Sequence, residues 1–419
     1  MIGALLDGAN VAAGPQVRAA AERASAWLDH RDPRTVAVRA KVLRAFLEEG
    51  VAEHDLAGTT GYGYDDAARA RYESLLARVF RAERVLARLS IVSGTHAIVA
   101  GLDALLGPGA TLLAANGAPY DTLRHAIVTA PHALTTRGIR YLEVPRTPEG
   151  TTDLAALESA VRTELPAVVF VQRSRGYAAR ASLAIGDIAA LCAAVRRASP
   201  HPLIFVDNCY GELVEEHEPL EAGADVIAGS LIKNIGGGLA PAGGYVAGSA
   251  AAIERIAARL TAPGIGAGLG PTLGFGRAMI QGLFYAPLVV AETLRGLDFA
   301  AALFAELGFG VDPAPGALRT DIVQAIRLGD AGRLVAFARG LQRAMPLNAR
   351  YAPEPGAVPG YTDPVIMSSG SFIGGATIEL SCDAPLRPPY EVYLQGGVTA
   401  EHAALGAVMA AEAVMSGRV

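Results

Sequence analysis

Two residues near the middle of the chain are placed for chemistry. The apolar run LIFVD ends in Asp207, and a second short run ends near Ser230, with Lys233 three residues beyond it. Asp207 and Lys233 are 26 residues apart, on loops that follow consecutive strand-like segments. In an open α/β sheet, ligands sit at the carboxyl ends of the strands. A carboxylate and an amine are therefore expected to face one cleft. That pair meets the needs of pyridoxal 5′-phosphate: a lysine to form a Schiff base with its aldehyde, and an acid to keep its pyridine nitrogen protonated. A salt bridge or a strand-end cap would use the same two residues.

Lysine is scarce here, which sharpens the reading. Of 36 basic residues only Lys41 and Lys233 are lysines. Arginine has too high a pKa to serve readily as an amine nucleophile or base, whereas lysine can serve. Lys41 falls on an amphipathic stretch and reads as a surface-helix residue.

Three further segments accompany the pair. Ser93-Gly94-Thr95-His96 lies between a strand and a helix, where free backbone N–H groups make an anion site or where Ser93 or Thr95 simply caps the helix. Gly117–Thr122 follows another strand, and its Tyr120 can stack on a flat ring or staple the next helix. Arg387 sits against prolines in SCDAPLRPPY, a stiff setting for gripping a carboxylate. No GxxxxGK[ST] run occurs, which disfavours a P-loop nucleotide site.

The elements that must position these residues follow from periodicity. Residues 15–50 read as helical, with Gly50 as the stop, and a glycine-tyrosine turn leads to a helix at about Asp66–Phe80. From residue 84 strands and helices alternate. Strands are predicted at Ala87–Val92, Thr111–Ala115, Arg140–Val144, Ala167–Gln172, Leu203–Val206, Val226–Ser230 and Gly244–Ala247, with helices between most of them. This is the pattern of an α/β domain with a mostly parallel, seven-stranded sheet. A buried helix at Arg277–Leu297 is followed by an α+β pattern: a helix at Phe299–Leu307, strands at Ile322–Arg327, Val365–Ser368 and Ala376–Ser381, and helices at Ala331–Arg343 and Ala400–Met415. The expected organisation is an N-terminal helical arm (1–60), a large α/β domain (61–298) and a small C-terminal α+β domain (299–419).

Composition excludes several classes. The 419 residues are 51% hydrophobic and 18% charged, which rules out disorder, and the formal net charge of −5 argues against a nucleic-acid binder. Cys192, Cys209 and Cys382 form neither a disulfide framework nor a metal motif, and no signal peptide is evident, so a cytoplasmic location is expected. The uncharged run Asn234–Ile253 contains six glycines and a proline, and Ala278–Ala291 is too short to span a bilayer.

Taken jointly, TGYGYDD (Thr60–Asp66), SGTHAI (Ser93–Ile98), G-x-PYDTL (Gly117–Leu123), QRSRGY (Gln172–Tyr177), VDNCYGE (Val206–Glu212), SLIKN-x-GGG-x-AP-x-GGY (Ser230–Tyr245) and RPPY (Arg387–Tyr390) carry a resemblance over nearly the whole chain. The sequence resembles the aluminium-resistance, methionine γ-lyase-like family within the cystathionine-lyase group of fold-type I pyridoxal-phosphate enzymes. The resemblance implies that Lys233 is the Schiff-base lysine and base, that Asp207 pairs with the pyridine nitrogen, and that Tyr120 stacks on the ring. It also implies that Ser93, Gly94, Thr95 and Ser230 hold the phosphate and that Arg387 binds the substrate carboxylate. Tyr62 or Tyr64 would reach into a neighbouring subunit's site in a homodimer or homotetramer, with Gln172, Arg173 and Arg175 near the cofactor or the carboxylate. One departure stands out: the family's Tyr-x-Arg phosphate clamp has no arginine in Gly61–Asp66, so the cross-subunit clamp and the pocket beside it differ.

The chemistry implied is carbon–sulfur bond cleavage in a sulfur-containing amino acid, giving a 2-oxo acid, ammonia and a thiol. An aminotransferase, a racemase or a γ-replacement enzyme would use the same cofactor contacts. A partly buried, cation-rich site is expected to lower the pKa of Lys233. Cys209, close to Asp207, reads as a buried small residue.

Overall fold

A computed structural model describes residues 1–417. Seven strands form the larger sheet: β1 (Arg84–Arg88), β2 (Thr111–Ala114), β3 (Arg140–Glu143), β4 (Val168–Gln172), β5 (Leu203–Asp207), β6 (Val226–Ser230) and β7 (Gly244–Gly248). Their order is β1-β7-β6-β5-β4-β2-β3. The pairs β2–β3, β2–β4, β4–β5 and β5–β6 are parallel, whereas β7 runs antiparallel to both β6 and β1. Strands β4 to β7 are buried along their lengths or nearly so, as expected of a sheet covered by helices on both faces. β1 lies a few residues before the predicted Ala87–Val92. Its register is fixed by antiparallel pairing, Arg84 opposite Gly248 and Arg88 opposite Gly244, and the apolar residues that follow form a turn.

Five antiparallel strands form a second sheet: β8 (Gly310–Asp312), β9 (Val323–Arg327), β10 (Val365–Ser369), β11 (Ser381–Pro385) and β12 (Glu391–Gln395), in the order β10-β11-β12-β9-β8. The predicted strand at Ala376–Ser381 is not formed. Ala376, Ile378 and Leu380 are buried at alternating positions, which imitates a strand. The Glu379 carboxylate instead accepts from the Phe372 and Ile373 N–H groups and folds this stretch into turns, so pairing begins only at Ser381.

The two predicted helices at Arg277–Leu297 and Phe299–Leu307 are one continuous helix, Gly276–Glu306. The residue between the two predicted spans, Asp298, is buried, and its carboxylate accepts from Arg319 Nε at 2.7 Å. Gly282 of this helix meets the glycine loop after Lys233 so closely that a Cβ there would stand 2.3 Å from the Gly236 carbonyl oxygen. Gly236 and Gly237 are thus explained by contact, and Gly238 by its φ of +74°. Among the described residues no helix is long and apolar enough to cross a membrane.

Asp66 binds the glycine-tyrosine turn to the rest of the chain. It is fully buried, caps the helix Ala67–Phe80 through the Arg69 N–H, and accepts from both the N–H and the hydroxyl of Thr59 and of Thr272. Burial opposes its ionisation, but the N–H donors of Arg69, Thr272 and Thr59 outweigh it and hold the carboxyl at about 2. A folded-state pKa below the unfolded value gives stability that is present above about pH 4 and lost as pH falls through about 2. Asp66→Ala is expected to cost about 2 kcal/mol at neutral pH, and less in acid. Denaturant unfolding of both proteins at pH 7 and in acid checks this; an equal difference at both pH values would contradict it.

Candidate active site

The carboxyl ends of β4, β5 and β6 carry Gln172, Asp207 and Ser230, with Gln172 opposite Asp207 and Asp207 opposite Ala228, two residues before Ser230. The helix Gly94–Leu105 begins above them. The Ser93 hydroxyl accepts from the His96 N–H, so Ser93 caps the helix. Gly94 is required by proximity: a Cβ would lie 3.0 Å from Cys209 Sγ and 3.4 Å from the Ser230 N. These elements enclose a cavity of about 280 Å³, lined by Ser93, Gly94, Thr95, Tyr120, Asp207, Ser230 and Lys233 among others. All seven residues expected to contact a cofactor therefore share one space.

Lys233 and Asp207 are held by different means. Asn234 fixes the Lys233 loop by donating to the Tyr210 carbonyl at 3.0 Å and to the Glu212 carbonyl at 2.8 Å. Tyr210 adopts φ +72°, a conformation that a large side chain enters only under constraint, and its ring lies 3.8 Å from Lys233 Nζ. Asp207 is 4% exposed and accepts from the Cys209 N–H at 3.1 Å. Among the described residues no salt bridge joins Asp207 to Lys233, which removes that simple account of the pair; both line the cavity.

The electrostatics correct one expectation. The groups facing Lys233 are not cations but Cys209, Tyr210, Asp207 and Tyr120. Burial pulls the lysine pKa down, yet these acidic groups raise it well above its usual value. Burial raises the Asp207 carboxyl against the pull of Lys233, and burial also pushes the Cys209 thiol well up, so it stays protonated as a wall residue. A buried carboxyl short of a cationic partner is suited to a ring N–H⁺.

Tyr120 is oriented from two sides. Its hydroxyl is 2.7 Å from Thr95 Oγ1, and its N–H donates to Gln172 Oε1 at 2.8 Å. Gln172 is in turn anchored to Ser174 and Asn116. The opposite wall was not foreseen: Tyr177, Tyr210, Val358, Tyr361 and Met367 line the cavity. Tyr177 and Tyr210 stand inside the quoted QRSRGY and VDNCYGE motifs, where an aromatic after a strand end is a usable signal. Tyr361 and Met367 come from the distant second sheet and its approach, and no local pattern marks them.

Other expected site residues lie outside the cavity lining. Arg387 donates to Asp121 at 3.0 Å and to the Tyr177 carbonyl at 3.3 Å, with its guanidinium 5.9 Å from the Tyr361 ring, directly behind the aromatic wall. Arg175 is not brought to the cavity: it is buried and paired with Asp312. Arg173 is committed to Asn208 and Glu215. Tyr62 and Tyr64 are 75% and 61% exposed, packed edge-on against each other, on a turn whose Gly63 carbonyl accepts from Arg69. Lys41 is less free than a surface residue, donating to the Glu216 carbonyl at 2.8 Å.

The sequence profile of the family described as methionine gamma-lyase matches residues 15–415. The chain belongs to the methionine gamma-lyase family. It is 44% identical over 366 residues to the uncharacterized protein YnbB of Bacillus subtilis, covering 86% of this chain and 87% of YnbB. Among solved structures it is similar to the carbon-sulfur lyase involved in aluminum resistance from Clostridium novyi, with 40% identity, 97% of each chain covered and a TM-score of 0.90. The pyridoxal-5′-phosphate dependent protein YhfS from Escherichia coli shares the fold at 21% identity and a TM-score of 0.62, over 90% of this chain and 95% of that one. Family and fold together make this a fold-type I architecture, as the motifs implied.

Proposed function

We propose that this chain is a pyridoxal-phosphate-dependent carbon–sulfur lyase acting on a sulfur-containing amino acid and releasing a 2-oxo acid, ammonia and a thiol. The observation that carries it is the pair Asp207 and Lys233, facing one cavity from the ends of adjacent strands without bonding to each other. Family membership and the named activity of the Clostridium novyi relative support the same reading.

The residues fit the cofactor. Ser93, Gly94, Thr95 and Ser230 would hold its phosphate at the start of the helix Gly94–Leu105. Tyr120 would lie on its ring, Asp207 would keep a proton at its pyridine nitrogen, and Lys233 would hold its aldehyde carbon. When bound, pyridoxal phosphate supplies an electron-withdrawing ring that takes up the electron pair of a broken Cα–H bond. Lys233 Nζ, once free, takes the Cα proton and can return it to the departing sulfur or to carbon. Arg387, already shared with Asp121, would hold the substrate carboxylate by exchanging that partner. A second copy of the chain would bring Tyr62 and Tyr64 to the site mouth.

The test is product analysis with a panel of S-substituted amino acids. Thiol, ammonia and 2-oxo acid should appear in equal amounts. A 2-oxo acid without ammonia would indicate amino transfer, and loss of optical activity alone a racemase; either would overturn the reading.

A further inference from the structure

A second cavity, about 230 Å³, lies remote in sequence from the strand-end residues, where the segment His30–Arg39 meets the long helix Gly276–Glu306 and the loop Gly316–Arg319. Five arginines line it: Arg31, Arg34, Arg39, Arg295 and Arg319. This concentration is unusual in a chain of net charge −5. Three of the five are balanced: Arg34 by Asp32, Arg295 by Glu292 and Arg319 by Asp298. Arg31 and Arg39 have no ion-pair partner among the described residues, which leaves the cavity with two uncompensated guanidinium groups.

A second observation points to a ligand. Arg319 is 2% exposed; its Nε donates to Asp298 at 2.7 Å and its Nη2 to Gln324 at 2.6 Å. Its Nη1 is buried with no partner among the described residues. An unmet donor on a buried guanidinium carries a desolvation penalty that an oxyanion would remove. The 16-residue helix Arg34–Glu49 also starts here and directs the positive end of its dipole to the same place, where the Asp32 carboxylate accepts from the Arg34 N–H at 2.9 Å.

We propose that this cavity is a binding site for a small phosphate-type dianion, either free phosphate or a phosphomonoester. Planar guanidinium groups match the oxygens of such an anion bidentately, and the cavity has room for the phosphate and a substituent. The site does not depend on the lyase reading.

The chain provides its own probe. Trp27 is the sole tryptophan. Its ring lies 5.4 Å from that of His30 and 2.8 Å from where a Gly316 Cβ would stand, and both residues line the cavity. Tryptophan fluorescence of the holoenzyme is titrated with inorganic phosphate, and separately with glycerol phosphate, at ionic strength held constant with chloride. A saturable change is expected with both. In Arg31→Ala/Arg39→Ala, whose two side chains are exposed, the midpoint should rise about tenfold or more with unaltered lyase turnover. A tighter midpoint for the ester would assign the site to phosphomonoesters, and equal midpoints to phosphate itself. A linear, unsaturable response, or saturation identical in the double variant, would overturn the proposal.

Discussion

Lys233→Ala is expected to lower turnover about ten-thousand-fold, the size of effect seen when a positioned base is removed. The holoenzyme should also lose the visible absorption band that depends on its covalent link to the cofactor. Loss of activity by itself would not separate a chemical role from a structural one. Lys233 is held by its neighbours rather than holding them: Asn234 makes the loop's hydrogen bonds, and the lysine amine rests over the Tyr210 ring. The alanine protein should therefore fold, and a small added amine such as ethylamine should restore part of the activity by entering the vacated space. Unchanged turnover in the variant would remove Lys233 from the mechanism.

Asp207→Asn is the second large effect, expected at about 10²- to 10³-fold in turnover, comparable to removal of one preorganised charge partner. Its sign in stability is more telling. Burial raises the Asp207 carboxyl in the folded chain. A raised carboxyl pKa gives stability that is present below the unfolded value and lost as pH rises from there through the folded one, so at neutral pH burying Asp207 opposes folding. The asparagine variant without cofactor should then melt higher than the wild type at pH 7. With cofactor bound the order should reverse, because only the carboxylate pairs with a ring N–H⁺. Melting curves of both proteins, with and without pyridoxal phosphate, decide this; a variant that melts lower in both states would mean that Asp207 is a structural strand cap.

The central pair was legible for a physical reason. Strands buried on both faces are written as apolar runs, their ends are marked by the first polar residue, and a scarce lysine stands out among arginines. The helix start at Ser93–Thr95 and the loop at Tyr120 were legible on the same grounds. What could not be read was pairing across long separations. Nothing around Arg175 announces Asp312, and nothing around Arg387 announces Asp121, so both looked like free cations. The aromatic wall from Tyr361 and Met367 depends on how the second sheet seats against the first. Asp298 is a further case, because its partner Arg319 lies 21 residues on. The alternation at Ala376–Leu380 misled differently, since a buried carboxylate can gather N–H groups that a strand would have paired.

The 31-residue helix Gly276–Glu306 has a consequence for how the molecule comes apart. At about 1.5 Å per residue it is about 46 Å long, and it packs against the loop after Lys233 at one end and against β8 and β9 towards the other. The helix thereby ties the loop that follows Lys233 to the second sheet. Melting should be cooperative: one calorimetric peak, with cofactor release and loss of secondary structure coinciding. Two separated peaks would show that the sheets unfold as independent units despite the element they share.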